Sequence, residues 1–429
     1  RLVKTYRSTF DCIIGERKFR ASSNRMLSIK GLKGFQYHAF TAFVHVVMPR
    51  PSLGSRMFGT SAGSIDSSLL KIQRATTLKP KPAFDNSLPF GKFFTDHMLE
   101  IEWDEKDGFN APQIVPHGPL SIDPAAPCLH YGVQCFEGMK AYKDKSGVIR
   151  LFRPDKNMKR LNDSCHRLSM PMFDGNQFIE CLKQFLKVDR DWIPDKDGFS
   201  LYIRPTVIAT SSSLGVHPAH HALFYVIACP VGPYFKDGFA PVKVLAESKF
   251  KRAWPGGTGC NKVGGNYAPG LLPQKLAAKQ GYSQVLWLFG EDDYVTEVGS
   301  MNFFVFWKRP DGKRELITAP LDGTILPGVT RDSILELTRA WGEFEVSEKL
   351  FTMKDLINAV NEERVIEVFG AGTAAIVSPI NGISYMDEEY KIPCGKDGKA
   401  GELSTKLFHE LCDIQYGRKQ FRDWSVAIH

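Results

Sequence analysis

At 429 residues the chain is longer than one hydrophobic core usually serves, and its 43% apolar and 24% charged content is that of a globular protein with about two domains. The net charge of +8 is unevenly placed. Residues 1–80 hold 14 Lys and Arg against Asp11, Glu16 and Asp66, while the remaining 41 basic and 44 acidic residues leave the body slightly acidic. That distribution argues against a basic nucleic-acid-binding face.

In chain order, residues 1–80 are rich in Arg and Ser and poor in acid, as organelle transit peptides are. Met26–Lys79 fits that description best and points to the mitochondrial matrix, with the cytoplasm as the alternative destination. Within it Tyr37–Met48 is apolar, but His38 and His45 interrupt it and it is too short to span a bilayer. Basic residues follow that patch and no clean cleavage site stands out, which weighs against a secretory signal. No other run is long and apolar enough for a membrane span.

Ordered structure is expected from near Ser87, after the Lys/Pro-rich Leu78–Pro82. Phe90–Trp103 reads as strand. Val148–Phe152 reads as a short strand leading into a helix from Asp155, where Met158, Leu161, Cys165 and Leu168 share one face. Asp174 is a candidate cap for the next helix, with Phe178, Leu182 and Phe185 on its apolar side. Ser200–Ala209 and Ala222–Val231 are β-rich runs suited to adjacent buried strands. Gly232–Ala240 is the linker candidate. Strands follow at Val242–Ala246, Val285–Phe289, Phe303–Trp307 and Val365–Phe369. Helices alternate with them near Leu271–Lys279, Arg331–Trp341, Met353–Glu362 and Glu402–Ile414. The fold class is α/β, mixed α+β in detail: a small α/β domain over residues 81–231, a linker and first strand over 232–249, and a larger domain over 250–429 that carries the chemistry.

Nine cysteines without a CxxC pair suit reduced, buried thiols better than a disulfide framework or a zinc site. The cluster from His217 to His221 lacks flanking Cys or acid pairs and reads as a loop, so no metal is expected.

Three segments of the second half belong together. Lys262 stands in Asn261-Lys262-Val263-Gly264-Gly265-Asn266-Tyr267, Glu297 in Thr296-Glu297-Val298-Gly299-Ser300, and a glycine turn, Leu326-Pro327-Gly328-Val329-Thr330-Arg331, opens a helix. An amine, a carboxylate and a helix start suit a cofactor with an aldehyde, a ring nitrogen and a phosphate, which describes pyridoxal 5'-phosphate. Lys262 would form the Schiff base, Glu297 would hold a proton on the pyridine nitrogen, and the N–H groups of Val329 and Thr330 would meet the phosphate. Each residue also has a plainer reading: a solvated lysine, an edge glutamate, a simple helix cap at Thr330. Gly256-Gly257-Thr258-Gly259 lacks the Gly-Lys-Ser/Thr ending of a nucleotide phosphate loop and is set aside.

These segments, with Phe369-Gly370-Ala371-Gly372-Thr373-Ala374 and Phe90-Gly91-Lys92-Phe93-Phe94-Thr95-Asp96-His97, resemble the branched-chain amino acid aminotransferases. These are class IV, or fold type IV, pyridoxal phosphate enzymes with the D-amino acid aminotransferase-like fold. The resemblance runs from about Phe90 to beyond Gly417 and is closest to the eukaryotic form. It implies further roles. Arg160, in Met158-Lys159-Arg160-Leu161, would clamp the phosphate, with Arg153 as its rival, and Tyr267 would bond the ring oxygen. Ser300 stands where a Thr is often found in the family and keeps the hydroxyl. Thr373 and Ala374 would receive the substrate carboxylate. Phe90, Tyr131, Phe136 and Tyr202 would enclose a branched side chain, and Arg204 would take the distal carboxylate of glutamate. Leu214 and Val216 match a loop that reaches the neighbouring subunit's pocket in family homodimers. The family's CxxC pair is missing, since Ala375 and Ser378 stand there.

The implied reaction moves the amino group of Leu, Ile or Val to 2-oxoglutarate, with Lys262 as general base. Related pyridoxal phosphate enzymes acting on D-amino acids or aminodeoxychorismate are the nearest rivals. A catalytically dead binding protein is the rival of another class, and the presence of Lys262, Glu297 and Arg160 speaks against it.

Overall fold

The computed structural model describes residues 64–233, 239–395 and 398–429. The transit-peptide reading covers residues 1–80, of which 1–63 lie outside the described residues. Residues 64–80 pack onto the body, so the structure begins earlier than Ser87. Ile65 is 2% exposed within the first core, and Lys79 donates from its backbone to Asp96 and from Nζ to the Thr95 carbonyl.

Two sheets organise the described chain. The first has ten strands, centred on Ser200–Ala209 and His221–Val231 paired along their whole length. His97–Asp104 flanks the latter, while Met139–Lys143 and Ile149–Phe152 extend the other side. The expected strand Phe90–Trp103 thus begins later, at His97, and the residues before it form a loop that brings Phe90 to the cavity described below. The helices Pro154–Arg167 and Gly175–Val188 cover this sheet, burying Met158, Leu161, Cys165, Phe178, Leu182 and Phe185 as their spacing predicts. Asp174 caps the second helix by accepting from the N–H groups of Asn176 and Gln177. The C-terminal strand Ser425–Ile428 returns from the far end of the chain to the edge of this sheet, beside Ile149–Phe152.

The second sheet has nine strands. Gln284–Phe289, Val242–Glu247, Ile376–Tyr385, Val365–Gly372 and Met301–Lys308 lie side by side, and Tyr294–Val298 pairs with both the first and the last of them. That double pairing closes six strands into a barrel with Glu297 opposite Asn302 at the seam. Phe303, Phe304, Val305 and Phe369 fill its two faces with zero exposure. The helices Val329–Trp341 and Glu402–Gln415 pack on one face and Met353–Asn361 on the other. No helix among the described residues is long and apolar enough to cross a membrane.

Candidate active site

A cavity of about 550 Å³ opens between the two sheets. Of the residues singled out from the sequence, Lys262, Arg160, Tyr267, Glu297, Ser300, Val329, Thr330, Thr373, Ala374, Phe90, Phe136, Tyr202 and Arg204 all line it.

Lys262 is fixed through its backbone. Its N–H donates to Ser164 Oγ at 2.9 Å, its carbonyl accepts from Phe136 N at 3.0 Å, and Val263 forms a bridge with Cys135. The loop is thereby fastened to the first sheet and its helix, leaving the amine free to reach inward. Lys262 Nζ donates to the Tyr267 hydroxyl at 3.0 Å and stands 4.7 Å from the Phe136 ring centre. Tyr267 lies between two short 3₁₀ turns, Gly264–Asn266 and Ala268–Gly270.

Arg160 makes a two-pronged pair with Glu137, Nε to Oε1 at 2.6 Å and Nη2 to Oε2 at 2.8 Å, and Nη1 donates to the Pro327 carbonyl at 3.1 Å. Glu137 is fully buried and also accepts from Asn157 and the Gly138 N–H. Burial alone would raise its carboxyl; the Arg160 guanidinium outweighs that and holds Glu137 below the usual range. One N–H remains on each terminal nitrogen of Arg160, beside the turn that opens helix Val329–Trp341. Gly328 is the cap residue of that helix, and no side chain caps it, so the plain-cap reading of Thr330 is set aside. The first N–H groups of the helix are left for a ligand, and the helix dipole favours an anion there. Gly328 itself approaches so closely that a Cβ would stand 2.1 Å from Asn302 Oδ1. Arg153, the rival phosphate ligand, is committed elsewhere, to Ser333, Asp332 and Glu336, and does not line the cavity.

At the other end Glu297 is 2% exposed. Its Oε1 accepts from Leu326 N at 3.0 Å and Asn302 Nδ2 at 3.1 Å. Its Oε2 lies 2.7 Å from Arg252 Nε but off the hydrogen-bonding direction, and has no hydrogen bond among the described residues. Burial pushes this carboxyl up, with Arg252 opposing it. A buried acceptor left open toward a cavity is what a ligand N–H would satisfy.

The turn Thr373–Ala375 forms the third side. Among the described residues its three backbone N–H groups have no acceptor, and the turn exits through Ile376 at φ 64°, a costly backbone for a β-branched residue. Such a run of open N–H groups is a receptor for a carboxylate. Phe90 and Tyr202 meet edge to face at 5.1 Å, and Arg204 donates to the Tyr202 hydroxyl at 2.9 Å while lying 4.6 Å from the Phe136 ring centre. Arg204 Nε has no hydrogen bond among the described residues.

Tyr131, Leu214 and Val216 stand apart from this cavity. They are 43, 66 and 86% exposed, and the Gly215 N–H donates to the Tyr131 hydroxyl at 3.1 Å. Glu137, Arg252 and Asn302 were missed by the sequence reading. An acid in Cys135-Phe136-Glu137-Gly138-Met139 and an Asn inside an apolar strand were the available signals; Glu137 finds Arg160 only in the folded chain, while Asn302 faces Glu297 across a tight hairpin. Of the histidines near 217–221, His220 pairs with Glu105 and His221 with Asp104 at the end of strand His97–Asp104, while His217 bonds Ser213 and the Pro218 carbonyl.

The family model "Amino-transferase class IV" matches residues 134–383, which include every segment that builds this cavity except Phe90. The chain is 52% identical over 374 residues to a branched-chain-amino-acid aminotransferase of Dictyostelium discoideum, covering 87% of this chain and 98% of that one. It is 50% identical to the mitochondrial enzyme of that name from Schizosaccharomyces pombe, covering 84 and 85%. Relatives of this kind include mitochondrial and cytosolic forms. Among solved structures, the T.th. branched-chain amino acid aminotransferase complexed with N-(5'-phosphopyridoxyl)-L-glutamate superposes with a TM-score of 0.61 at 27% identity, covering 77% of this chain and 98% of that one. The chain belongs to the class IV aminotransferases.

Proposed function

We propose that this chain transfers the amino group of leucine, isoleucine and valine to 2-oxoglutarate, releasing branched 2-oxo acids and glutamate. Class IV aminotransferases use pyridoxal phosphate, and the residues here fit it. The observation that carries the reading is the convergence of three groups on one cavity: the Lys262 amine, whose hydrogen bond is to Tyr267, the open Glu297 oxygen and the uncapped N-terminus at Val329.

When bound, pyridoxal phosphate supplies an electron sink that makes the substrate Cα–H acidic. Lys262 Nζ would take that proton from the substrate Cα and deliver it to the cofactor's C4′ carbon, its position held by Tyr267 and by the backbone bonds to Ser164 and Phe136. Glu297 holds a proton on the ring nitrogen. Val329 and Thr330 give N–H groups to the phosphate, with Ser300 at the cavity's rim, and Arg160 adds its two open N–H donors. Thr373 and Ala374 orient the α-carboxylate, while Phe90, Phe136 and Tyr202 exclude water from the branched side chain. Arg204, with an unmet Nε, serves the distal carboxylate of glutamate, so one pocket accepts two unlike side chains.

The reading includes a homodimer, in which Tyr131, Leu214 and Val216, exposed on one chain, reach the partner's pocket. It also includes a mitochondrial destination, supported by residues 1–63, which hold 11 Lys and Arg against Asp11 and Glu16. The test is glutamate formation from 2-oxoglutarate with each aliphatic amino acid, D-alanine as the contrast, joined to borohydride trapping and peptide mapping. Glutamate from the branched L-amino acids and a label on Lys262 support the reading. A label elsewhere, or preference for D-alanine, overturns it.

A further inference from the structure

Behind the Thr373–Ala375 turn lies a charged group with no part in the reaction described so far. Lys140 sits on strand Met139–Lys143, directly opposite Tyr202, and is 8% exposed. Its Nζ donates to the Ala374 carbonyl at 2.9 Å. It also borders a second cavity of about 160 Å³ that shares Phe90 and Ala374 with the main one. Among the described residues no carboxylate pairs with it. Tyr202 faces it across the sheet and Tyr142 follows two residues along its own strand. From helix Glu402–Gln415 it meets the Cys412 thiol, which burial pushes up to about 11. Burying an ammonium without a counter-ion is costly, and a single carbonyl does not offset that.

We propose that Lys140 is a positioning residue for the substrate α-carboxylate, holding the Ala374 carbonyl away from the main cavity so that the Ala375 N–H of the turn faces into it. A peptide C=O and the following N–H point in opposite directions, and no peptide bond here is cis. Fixing the Ala374 oxygen on Lys140 therefore turns the Ala375 N–H the other way, and Ala375 lines the main cavity. A flip of that peptide would present a carbonyl oxygen to the carboxylate instead. The ammonium also places a positive charge behind the turn, in a setting with little water to screen it. This inference rests on the turn being the carboxylate receptor of the proposed transaminase.

Burial pulls the Lys140 ammonium down to about 8, with Cys412 opposing. The charged form exists below that pH and is lost above it. Carboxylate affinity should therefore fall as pH rises through about 8. The probe is 4-methylvaleric acid, a branched carboxylate with no amino group, titrated calorimetrically into the cofactor-loaded enzyme on both sides of that pH. Lys140→Met should bind it roughly 10- to 100-fold more weakly at neutral pH, the size of one lost hydrogen bond to a charged group. KM for leucine and 2-oxoglutarate should rise together, with kcat falling less. Lys140→Arg should keep the neutral-pH affinity and lose the inflection, because its charge persists. Should Lys140→Met fail to fold, the wild-type and Lys140→Arg profiles decide. A fully active wild type whose affinity is flat through that pH, or a Lys140→Met enzyme that binds the probe equally well, overturns the role of Lys140. A wild type that forms no glutamate overturns the proposed function instead.

Discussion

Replacing Glu297 by Gln tests the ring-nitrogen contact with little change in shape. In the native protein Oε1 accepts from both Leu326 N and Asn302 Nδ2. The Gln oxygen must stay on that side, which turns its NH₂ to the Oε2 position. There it donates, so it favours an unprotonated ring nitrogen and weakens the electron sink; it also faces Arg252 Nε, another donor, 2.7 Å from that position. Opposite unit charges at contact are worth about 4 kcal/mol at 4 Å with an effective dielectric of about 20. Removing one preorganised electrostatic contact from an active site costs about 2.7–4 kcal/mol, or about 10²–10³ in kcat. The expected result is therefore a folded protein that retains cofactor and loses about 10²–10³ in the rate of Cα–H cleavage. The assay is single-turnover conversion of leucine followed by cofactor absorbance, with α-deuterated leucine to show that proton abstraction has become slower. An unchanged rate would refute the role of Glu297 outright.

Lys262→Ala should keep the fold and abolish both turnover and the borohydride-trapped label; substantial transaminase activity in this variant would remove Lys262 from the mechanism. Glu137→Ala leaves Arg160 buried and unpaired, so it should cost about 3–5 kcal/mol in denaturant unfolding without cofactor, and less when cofactor phosphate can pair with Arg160. Because Glu137 titrates below its ordinary value of 4.5, its contribution is present above that pH and is lost as pH falls below it; the variant should lack that portion of the acid-side decline in melting temperature. Gly138→Ala puts a Cβ 2.1 Å from the Tyr202 hydroxyl, so Tyr202 must move; KM for branched substrates should rise while far-ultraviolet circular dichroism is unchanged.

Much of the fold was legible because it rests on local periodicity. Leu271–Lys279 and Ser200–Ala209 match the sequence reading at both ends, since a run of good helix formers and an unbroken β-rich run need no distant partner. Ile376–Tyr385 was not read as a strand. Its Ser378-Pro379-Ile380-Asn381-Gly382 looks like a loop, yet it is paired on both sides and almost wholly buried. Tertiary pairing overrides propensity there, and Pro379 is accommodated within the ladder opposite Phe369. Ser425–Ile428 was missed for a related reason: four residues become a strand only because Ile149–Phe152 offers an edge. The site divides in the same way. Lys262, Glu297 and the helix start at Val329 announce themselves by local motif. Asn302 reaches Glu297 through a local hairpin, but Glu137 for Arg160 and Arg252 for Glu297 are brought in by the folded chain alone.

Those tuning groups change how the cofactor's charge is met. Arg160 is balanced by Glu137 and Arg252 by Glu297, so the two ends of the cavity are each close to neutral before a ligand enters. The unpaired cations that remain on its wall are Lys262 and Arg204, both toward the substrate side with Phe136 between them. The phosphate end therefore binds through direction more than through net charge: open N–H groups at the head of helix Val329–Trp341 and the two spare donors of Arg160. Directional bonds inside a buried site are screened by salt far less than exposed charge pairs. On the proposed reading, the arrangement would hold a doubly charged phosphate without a surplus of positive charge that would draw the substrate carboxylate to the wrong end. Net attraction is concentrated where the two substrates must be exchanged in turn, and rigidity where the cofactor must stay.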